Sequence, residues 1–150
     1  MSKAPMPEQG RQEEALAALR EIFGDRLKRG PEPEDHTLAA VSPRDAEEVE
    51  RLAVVAGRLS LPLVALGAGT LDRGEGGKNG VLVRFDLMGA TQLPDDDETW
   101  VEAEPGATLL SLENNLEARG LGLAVYPTSA PRATVGGWLA ENGVGVGSFE

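Results

Sequence analysis

Two clusters of small residues are the part of this sequence best suited to hold a ligand. The first, PLVALGAGTLDRGEGGKNG at residues 62–80, is an apolar run that breaks into a glycine-rich loop. The second, YPTSAPRATVGGWLAENGVGVG, occupies residues 126–147. Within a regular element each glycine costs roughly 0.5–1 kcal/mol relative to alanine. Such clusters therefore indicate a flexible linker, a tight turn without a ligand, or a cradle for a phosphate group.

The first cluster fails two known phosphate-loop patterns. The Rossmann fingerprint needs a third glycine three residues after the second. Gly67 and Gly69 supply the first two, but Asp72 stands at the third position. The triphosphatase loop needs an upstream glycine and a following serine or threonine around a Gly-Lys pair, and the pair at 77–78 lacks both. Neither nucleotide fold is indicated.

The end of the apolar run still favours an anion site. In Gly67-Ala68-Gly69-Thr70, successive backbone N–H groups can face an anion, and the Thr70 hydroxyl is a further donor. The second cluster is likewise poor in side-chain chemistry, and its backbone is expected to be available to a ligand. Two such clusters, each after an apolar strand, favour a long ligand with a phosphate bridge over two unrelated turns.

Composition excludes several classes of function. The net charge of −11 argues against sequence-independent nucleic-acid binding. With no cysteine and one histidine, His36, disulfides, thiolate chemistry and a histidine-rich metal site are excluded. No apolar run approaches the roughly 20 residues of a membrane span, and no signal peptide is evident, so we expect a cytoplasmic protein. The acidic stretch 94–106 predicts a solvated hairpin tip or, alternatively, an acidic docking surface.

Hydrophobic periodicity predicts mixed elements in the first half of the chain. After a disordered leader at 1–10, a helix is expected from Arg11 to Phe23, and a polar connection then leads to a strand at 36–41. A second helix should begin at Ser42, with Pro43 in its first position and Asp45 completing the cap. Leu63 to Leu66 is an apolar strand, so a βαβ unit in a parallel, helix-covered sheet is predicted.

The second half predicts a similar alternation. Strands are expected at 80–87, on both sides of the acidic turn, and at 121–127. Thr108 should cap a helix that ends before Gly120, and Thr134 should cap another. Trp138 is expected to pack rather than to contact a ligand, and Trp100 is expected on the strand after the acidic turn, in the core or on the sheet face. The fold class is α+β or mixed α/β.

Several spaced motifs together resemble a known family. The strand ending in GAGT, then VRFDL, VEAEPGATLLSLENNLEARGL and YPTSAPRATVGGWLAENG follow one another in this order. From about Ala40 to Ser148 the chain resembles the FAD-binding domain of the vanillyl-alcohol oxidase/p-cresol methylhydroxylase (PCMH-type) family. Its likeness is greatest to FAD-linked oxidases such as D-lactate dehydrogenases and the flavin subunits of glycolate oxidase. The resemblance implies two small α/β subdomains, the second incomplete in this chain.

The resemblance also implies which residues contact FAD. In that family the first loop wraps the pyrophosphate, and the second cluster reaches the pyrophosphate and the flavin end. The matching positions are Gly67, Ala68, Gly69, Thr70, Leu71, Thr128, Ser129, Thr134, Gly137, Asn142 and Gly145. No catalytic residue and no metal ligand is implied.

Three departures from the family pattern carry chemical meaning. Leu66 stands where many relatives have arginine before the loop, so a charged contact is missing. Thr70 stands where some members carry a histidine bonded to flavin, which implies non-covalent FAD. The usual Asn-Ala-Gly-Gly is Asn-Gly-Val-Gly at 142–145, so the local backbone there is expected to differ.

The expected protein is the N-terminal part of an FAD-dependent oxidoreductase acting on a 2-hydroxy acid such as glycolate or lactate. We expect a leader and helix at 1–35 and a truncated FAD-binding domain at 36–150. The rest of the enzyme, or a partner subunit, would carry the substrate domain. The alternatives are a non-catalytic α/β interaction module that has lost the cofactor and a reductase of the related cell-wall precursor type.

Overall fold

The structure is a computed structural model that describes residues 8–29, 37–67, 79–93, 100–127 and 130–147. The chain forms two compact units. Unit 1 comprises Met1–Val64 and Arg73–Val83, and unit 2 comprises Ala65–Asp72 and Arg84–Glu150. Over the described ranges, no helix is long and apolar enough to cross a membrane.

Unit 1 begins with helix α1, Glu8–Phe23, which packs against helix α2, Ala46–Leu59. Ala15, Leu19 and Phe23 are buried on its inner face. Gly24 ends the helix as predicted, with φ +53°. The predicted leader is wrong for residues 8–10, because the helix begins before Arg11.

Helix α2 begins three residues later than predicted. Asp45, not Ser42, is the N-cap, and its carboxylate accepts a hydrogen bond of 2.9 Å from the Glu48 N–H. The Glu48 carboxylate in turn accepts from the N–H of Arg44, the residue before the cap, so the arrangement resembles a capping box shifted by three positions. Leu52, Ala56 and Leu59 form the buried face.

The larger sheet has the strand order β1-β2-β4-β3. Its strands are β1, Lys28–Arg29; β2, Ala39–Val41; β3, Leu63–Leu66; and β4, Val81–Arg84. Strand β1 runs antiparallel to β2 within a segment predicted as a connection. Both its side chains are exposed charges, which protect the open edge of a sheet from unwanted pairing.

The predicted parallel sheet is confirmed for β2 and β4, which place Ala40 opposite Leu82. The strand beside β2 is therefore β4, and β3 takes the position beyond it. Strands β2 and β4 are buried, whereas Leu63 in β3 is 41% exposed. Strand β3, the most apolar of the predicted strands, is thus more exposed to solvent than β2 and β4.

Unit 2 contains the predicted acidic hairpin and two short helices. Strands β5, Thr91–Gln92, and β6, Glu102–Ala103, are antiparallel. Helix α3, Leu109–Glu117, is capped by Thr108 as predicted, and it buries Leu109, Leu112 and Leu116. Helix α4, Val135–Ala140, follows its predicted cap, Thr134.

Two predictions for unit 2 are wrong. The segment 121–127 is not a strand, and Tyr126 makes only an isolated bridge to Val146. The Leu123 N–H instead donates to the Glu113 carboxylate at 2.8 Å, so a side chain satisfies the backbone where a neighbouring strand would. Trp100 lies before β6 rather than on a strand, and it is half exposed.

Candidate functional site

The two glycine clusters meet at the end of β3. A Cβ atom added to Gly67 would lie 2.6 Å from the Thr134 Oγ1 and 3.6 Å from the Gly137 Cα. A Cβ added to Gly137 would lie 3.0 Å from the same hydroxyl and 3.8 Å from the Gly67 Cα. Glycine at both positions therefore allows the backbones to approach this closely. We call Gly67, Thr134 and Gly137 the glycine corner.

Thr134 organises the corner. Its backbone is extended, and its Oγ1 accepts a hydrogen bond of 3.3 Å from the Gly137 N–H as the N-cap of α4. The residue is 8% exposed, which makes it the one buried polar residue among those the structure describes. A bridge to Thr108 joins the caps of α3 and α4. The corner is thus fixed by the same residue that starts the helix.

The first N–H groups of α4 are already used within the protein. A helix N-terminus normally leaves such groups for a cap, water or an anion. Here each donates to an acceptor of unit 2: Val135 to the Ala107 carbonyl at 2.8 Å, Gly136 to the Pro105 carbonyl at 2.9 Å, Gly137 to the Thr134 hydroxyl at 3.3 Å and Trp138 to the Thr134 carbonyl at 2.9 Å. The expectation that this cluster offers free backbone is wrong at α4.

Close packing explains the glycine that precedes Gly137. A Cβ on Gly136 would lie 2.6 Å from the Pro105 Cβ and 3.0 Å from its carbonyl oxygen. Gly106, next to that proline, could carry no side chain because its Cβ would overlap the Phe85 carbonyl oxygen. The Pro-Gly turn before α3 is therefore fitted tightly against the start of α4.

The end of the second cluster is a helix-terminating turn. Asn142 has φ +53°, and its N–H donates to the Leu139 carbonyl at 3.1 Å. The Gly143 N–H donates to the Trp138 carbonyl at 2.9 Å, which completes the Schellman arrangement of a helix C-terminus. Asn142 is thus accounted for as the left-handed residue of this turn.

Packing also accounts for the two glycines that follow. A Cβ on Gly143 would overlap the indole of Trp138, and one on Gly145 would lie 2.5 Å from the Tyr126 carbonyl oxygen. Trp138 packs against the cluster of Leu109, Ala130 and Ala133, which confirms its predicted packing role. Its Nε1 is buried without a hydrogen-bond partner in the described part of the chain.

The structure thus brings together only part of the predicted site. Gly67, Thr134 and Gly137 are in contact, whereas Asn142 and Gly145 belong to the turn after α4. The remaining predicted contacts lie outside the described residues; they are Ala68, Gly69, Thr70, Leu71, Thr128 and Ser129. His36 also lies outside the described residues. Pro105 and Gly106, which hold α4 in place, were missed, although the EPG triplet before α3 is a turn signal.

The negative charge is concentrated in the unit that carries the corner. Within the boundaries of unit 2 the sequence has twelve aspartates and glutamates and three arginines, a net charge of −9. Unit 1 has thirteen acidic and eleven basic residues, a net charge of −2. An anionic ligand at the corner would therefore lie in an unfavourable field unless a cation stands nearby.

The sequence matches the family model described as FAD binding domain over residues 37–150. It is 27% identical over 113 residues to the glycolate oxidase subunit GlcD of Bacillus subtilis, which covers 72% of this chain and 23% of that protein. It is 32% identical over 114 residues to D-2-hydroxyglutarate dehydrogenase of Pseudomonas putida, and this match covers 73% of this chain and 11% of that protein.

The fold has a counterpart among solved structures. The crystal structure of p-cresol methylhydroxylase with substrate bound superimposes with a TM-score of 0.72 at 18% identity. The match covers 91% of this chain and 30% of that one. The mixed α/β fold is therefore of the PCMH type, and the chain spans less than a third of the length of these proteins.

Proposed function

Because the chain belongs to the FAD binding domain family, we propose that its glycine corner and the residues that follow Gly67 in sequence hold the FAD pyrophosphate without a covalent bond. The proposed contacts are Gly67, Ala68, Gly69, Thr70, Leu71, Thr128, Ser129, Thr134, Gly137, Asn142 and Gly145. The complete protein would be an FAD-linked oxidoreductase that oxidises a 2-hydroxy acid such as glycolate or lactate.

The contact of Gly67 with Thr134 and Gly137 carries this proposal. Two segments far apart in sequence meet there with only the Thr134 hydroxyl beside the two glycine backbones, and a Cβ at either glycine would fill the approach. A ligand with a long phosphate bridge needs such a bare surface on both sides. The α4 N–H groups are occupied, so the anion-binding amides of this proposal are those of the residues that follow Gly67 in sequence.

The chemistry would be divided between the cofactor and the rest of the enzyme. When bound, FAD accepts a hydride from the carbon that bears the substrate hydroxyl. The residues of this chain bind and orient the cofactor. The side chains that bind the 2-hydroxy acid and take its hydroxyl proton would come from the remainder of the enzyme or from a partner subunit.

The substrate class is supported by the named relatives. Glycolate and D-2-hydroxyglutarate, which appear in the names of the two similar proteins, are both 2-hydroxy acids. We therefore expect glycolate or D-lactate to bleach the flavin absorbance of the complete enzyme under anaerobic conditions. Bleaching by an unrelated alcohol, with none by any 2-hydroxy acid, would contradict the assignment.

Cofactor binding can be tested directly on this chain. The purified protein is titrated with FAD while quenching of flavin fluorescence is followed, and a denatured sample is analysed for released flavin. We expect saturable binding and flavin that is fully released on denaturation, because no covalent bond holds it. A protein without bound flavin and without saturable FAD binding would contradict the proposal and favour the non-catalytic interaction module.

A further inference from the structure

Positive charge is scarce around the glycine corner. The sequence within unit 2 supplies three arginines, Arg84, Arg119 and Arg132, against twelve carboxylates. Leu66, which precedes Gly67, is uncharged, and the first N–H groups of α4 already donate hydrogen bonds to protein oxygens. A pyrophosphate dianion held at the corner, as in the proposed function, would have to be neutralised by a side chain or left in a strongly negative field.

Arg132 is the arginine best placed to supply that charge. It lies two residues before Thr134, a separation that an extended backbone spans in about 7 Å. Its side chain is exposed, and within the described residues it forms no ion pair. Arg119 already has an interaction partner. Arg84 ends β4 and is far in sequence from Thr134 and Gly137.

The chain on both sides of Arg132 is well fixed. The Ala130 N–H donates to the Pro127 carbonyl at 3.1 Å, and Ala130 is fully buried in the cluster with Leu109. The Ala133 carbonyl accepts from the Leu109 N–H at 3.0 Å, and Thr134 forms the corner itself. The backbone that carries Arg132 is thus anchored, which lowers the entropic cost of placing its side chain on a ligand.

We propose that Arg132 binds the FAD pyrophosphate and supplies positive charge at the glycine corner. This inference rests on the proposed function. The guanidinium group offers a planar pair of N–H donors that matches phosphate oxygens, and it stays charged at every physiological pH. In a unit with a net charge of −9, this contact offsets one of the two negative charges of the pyrophosphate.

The test compares FAD with riboflavin, which has the same ring system and no phosphate. Both are titrated at low salt against the whole chain and its Arg132→Gln and Arg132→Lys variants. Arg58→Gln is the matched control, because it removes one positive charge from an exposed site on α2. Arg73→Gln and Lys78→Gln cover the two cations of the glycine-rich loop, which lie outside the described residues.

We expect Arg132→Gln to weaken FAD binding about tenfold, as for one charged hydrogen-bonded contact, and to leave riboflavin binding unchanged. Arg132→Lys should retain part of the affinity, because it keeps the charge but not the paired donors. Arg58→Gln should stay within about twofold of the unaltered chain. The FAD difference should shrink at about 1 M salt, where the Debye length is about 3 Å.

Three results would overturn the inference. Arg132→Gln could bind FAD like the unaltered chain, or it could lose FAD and riboflavin equally, which would indicate a structural role. The loss specific to FAD could instead follow Arg73→Gln or Lys78→Gln. If the unaltered chain binds no FAD at any salt concentration, the proposed function fails first, and the role of Arg132 fails with it.

Discussion

The ion pair between Arg26 and Glu48 should make unit 1 sensitive to acid. The guanidinium donates to both carboxylate oxygens at 2.5 Å and also to the Ser42 carbonyl at 2.9 Å. It thereby ties the 3-10 turn Gly24–Arg26 to the start of α2. The hydrogen bonds from Arg26, joined by one from the Arg44 N–H, lower the pKa of Glu48 from 4.5 to about 2.

The magnitude follows from proton linkage. A drop from 4.5 to about 2 corresponds to at most about 3.4 kcal/mol, at about 1.4 kcal/mol for each tenfold change. The two side chains are 15% and 18% exposed, so water screens part of the interaction. We therefore expect Glu48→Gln to lower the free energy of unfolding by about 2 kcal/mol at neutral pH.

The pH dependence has a definite sign. Because the pKa of Glu48 is lower in the folded state, its contribution is fully present above about pH 4.5 and is lost as the pH falls toward 2. The difference in unfolding free energy between the unaltered chain and Glu48→Gln should fall to less than half its neutral value by about pH 3. Stability that rose on acidification would contradict this sign.

The assay can report on unit 1 selectively. Helices α1 and α2 account for 30 helical residues, so far-UV circular dichroism during urea unfolding reports chiefly on unit 1. Both tryptophans lie in unit 2, so their fluorescence follows that unit. Glu50→Gln is the matched control, since it removes one exposed carboxylate from the same helix. Equal destabilisation by Glu48→Gln and Glu50→Gln would refute the reasoning.

Two further predictions concern glycine and asparagine positions. Gly67→Ala should cost about 1–2 kcal/mol in unfolding free energy and weaken FAD binding, because its Cβ would lie 2.6 Å from the buried Thr134 hydroxyl. Its control, Gly57→Ala, has open space on α2 and should stabilise the protein by up to about 1 kcal/mol; equal effects would contradict the account. Asn142→Gly should raise the melting temperature and Asn142→Ala should lower it, because φ there is +53°. The opposite order in a thermal scan would count against the Schellman turn.

Local signals predicted those features of the fold that local chemistry decides. Thr108 and Thr134 each precede an apolar helical pattern and each proves to be an N-cap. The cap of α2 was misplaced because Ser42 and Asp45 are both good caps, and the choice depends on Glu48, whose carboxylate Arg26 holds from a distant turn. Strand β1 was missed because its pairing with β2, not its charged sequence, makes it a strand.

The candidate site was predictable as a pairing of clusters but not in its internal contacts. The two glycine clusters were predicted to contact one long ligand, and the structure brings Gly67 of the first cluster close to Gly137 of the second. Sequence could not show that the N–H groups of Val135 and Gly136 are occupied, because their acceptors, Ala107 and Pro105, belong to another segment. Nor could it separate Asn142 as a ligand contact from Asn142 as the left-handed residue of a turn.

The path of the chain between the two units has a consequence for dissecting the protein. The backbone leaves unit 1 after Val64, returns at Arg73 and leaves again after Val83. Strand β4, which lies between β2 and β3 in the sheet, belongs to the second segment of unit 1, after Arg73. No single cut therefore separates the units: a cut after Val64 would strip unit 1 of the strand that joins its sheet. We expect truncations at that point to yield insoluble protein, whereas a chain that ends after Val83 keeps all of unit 1 together with residues 65–72 of unit 2.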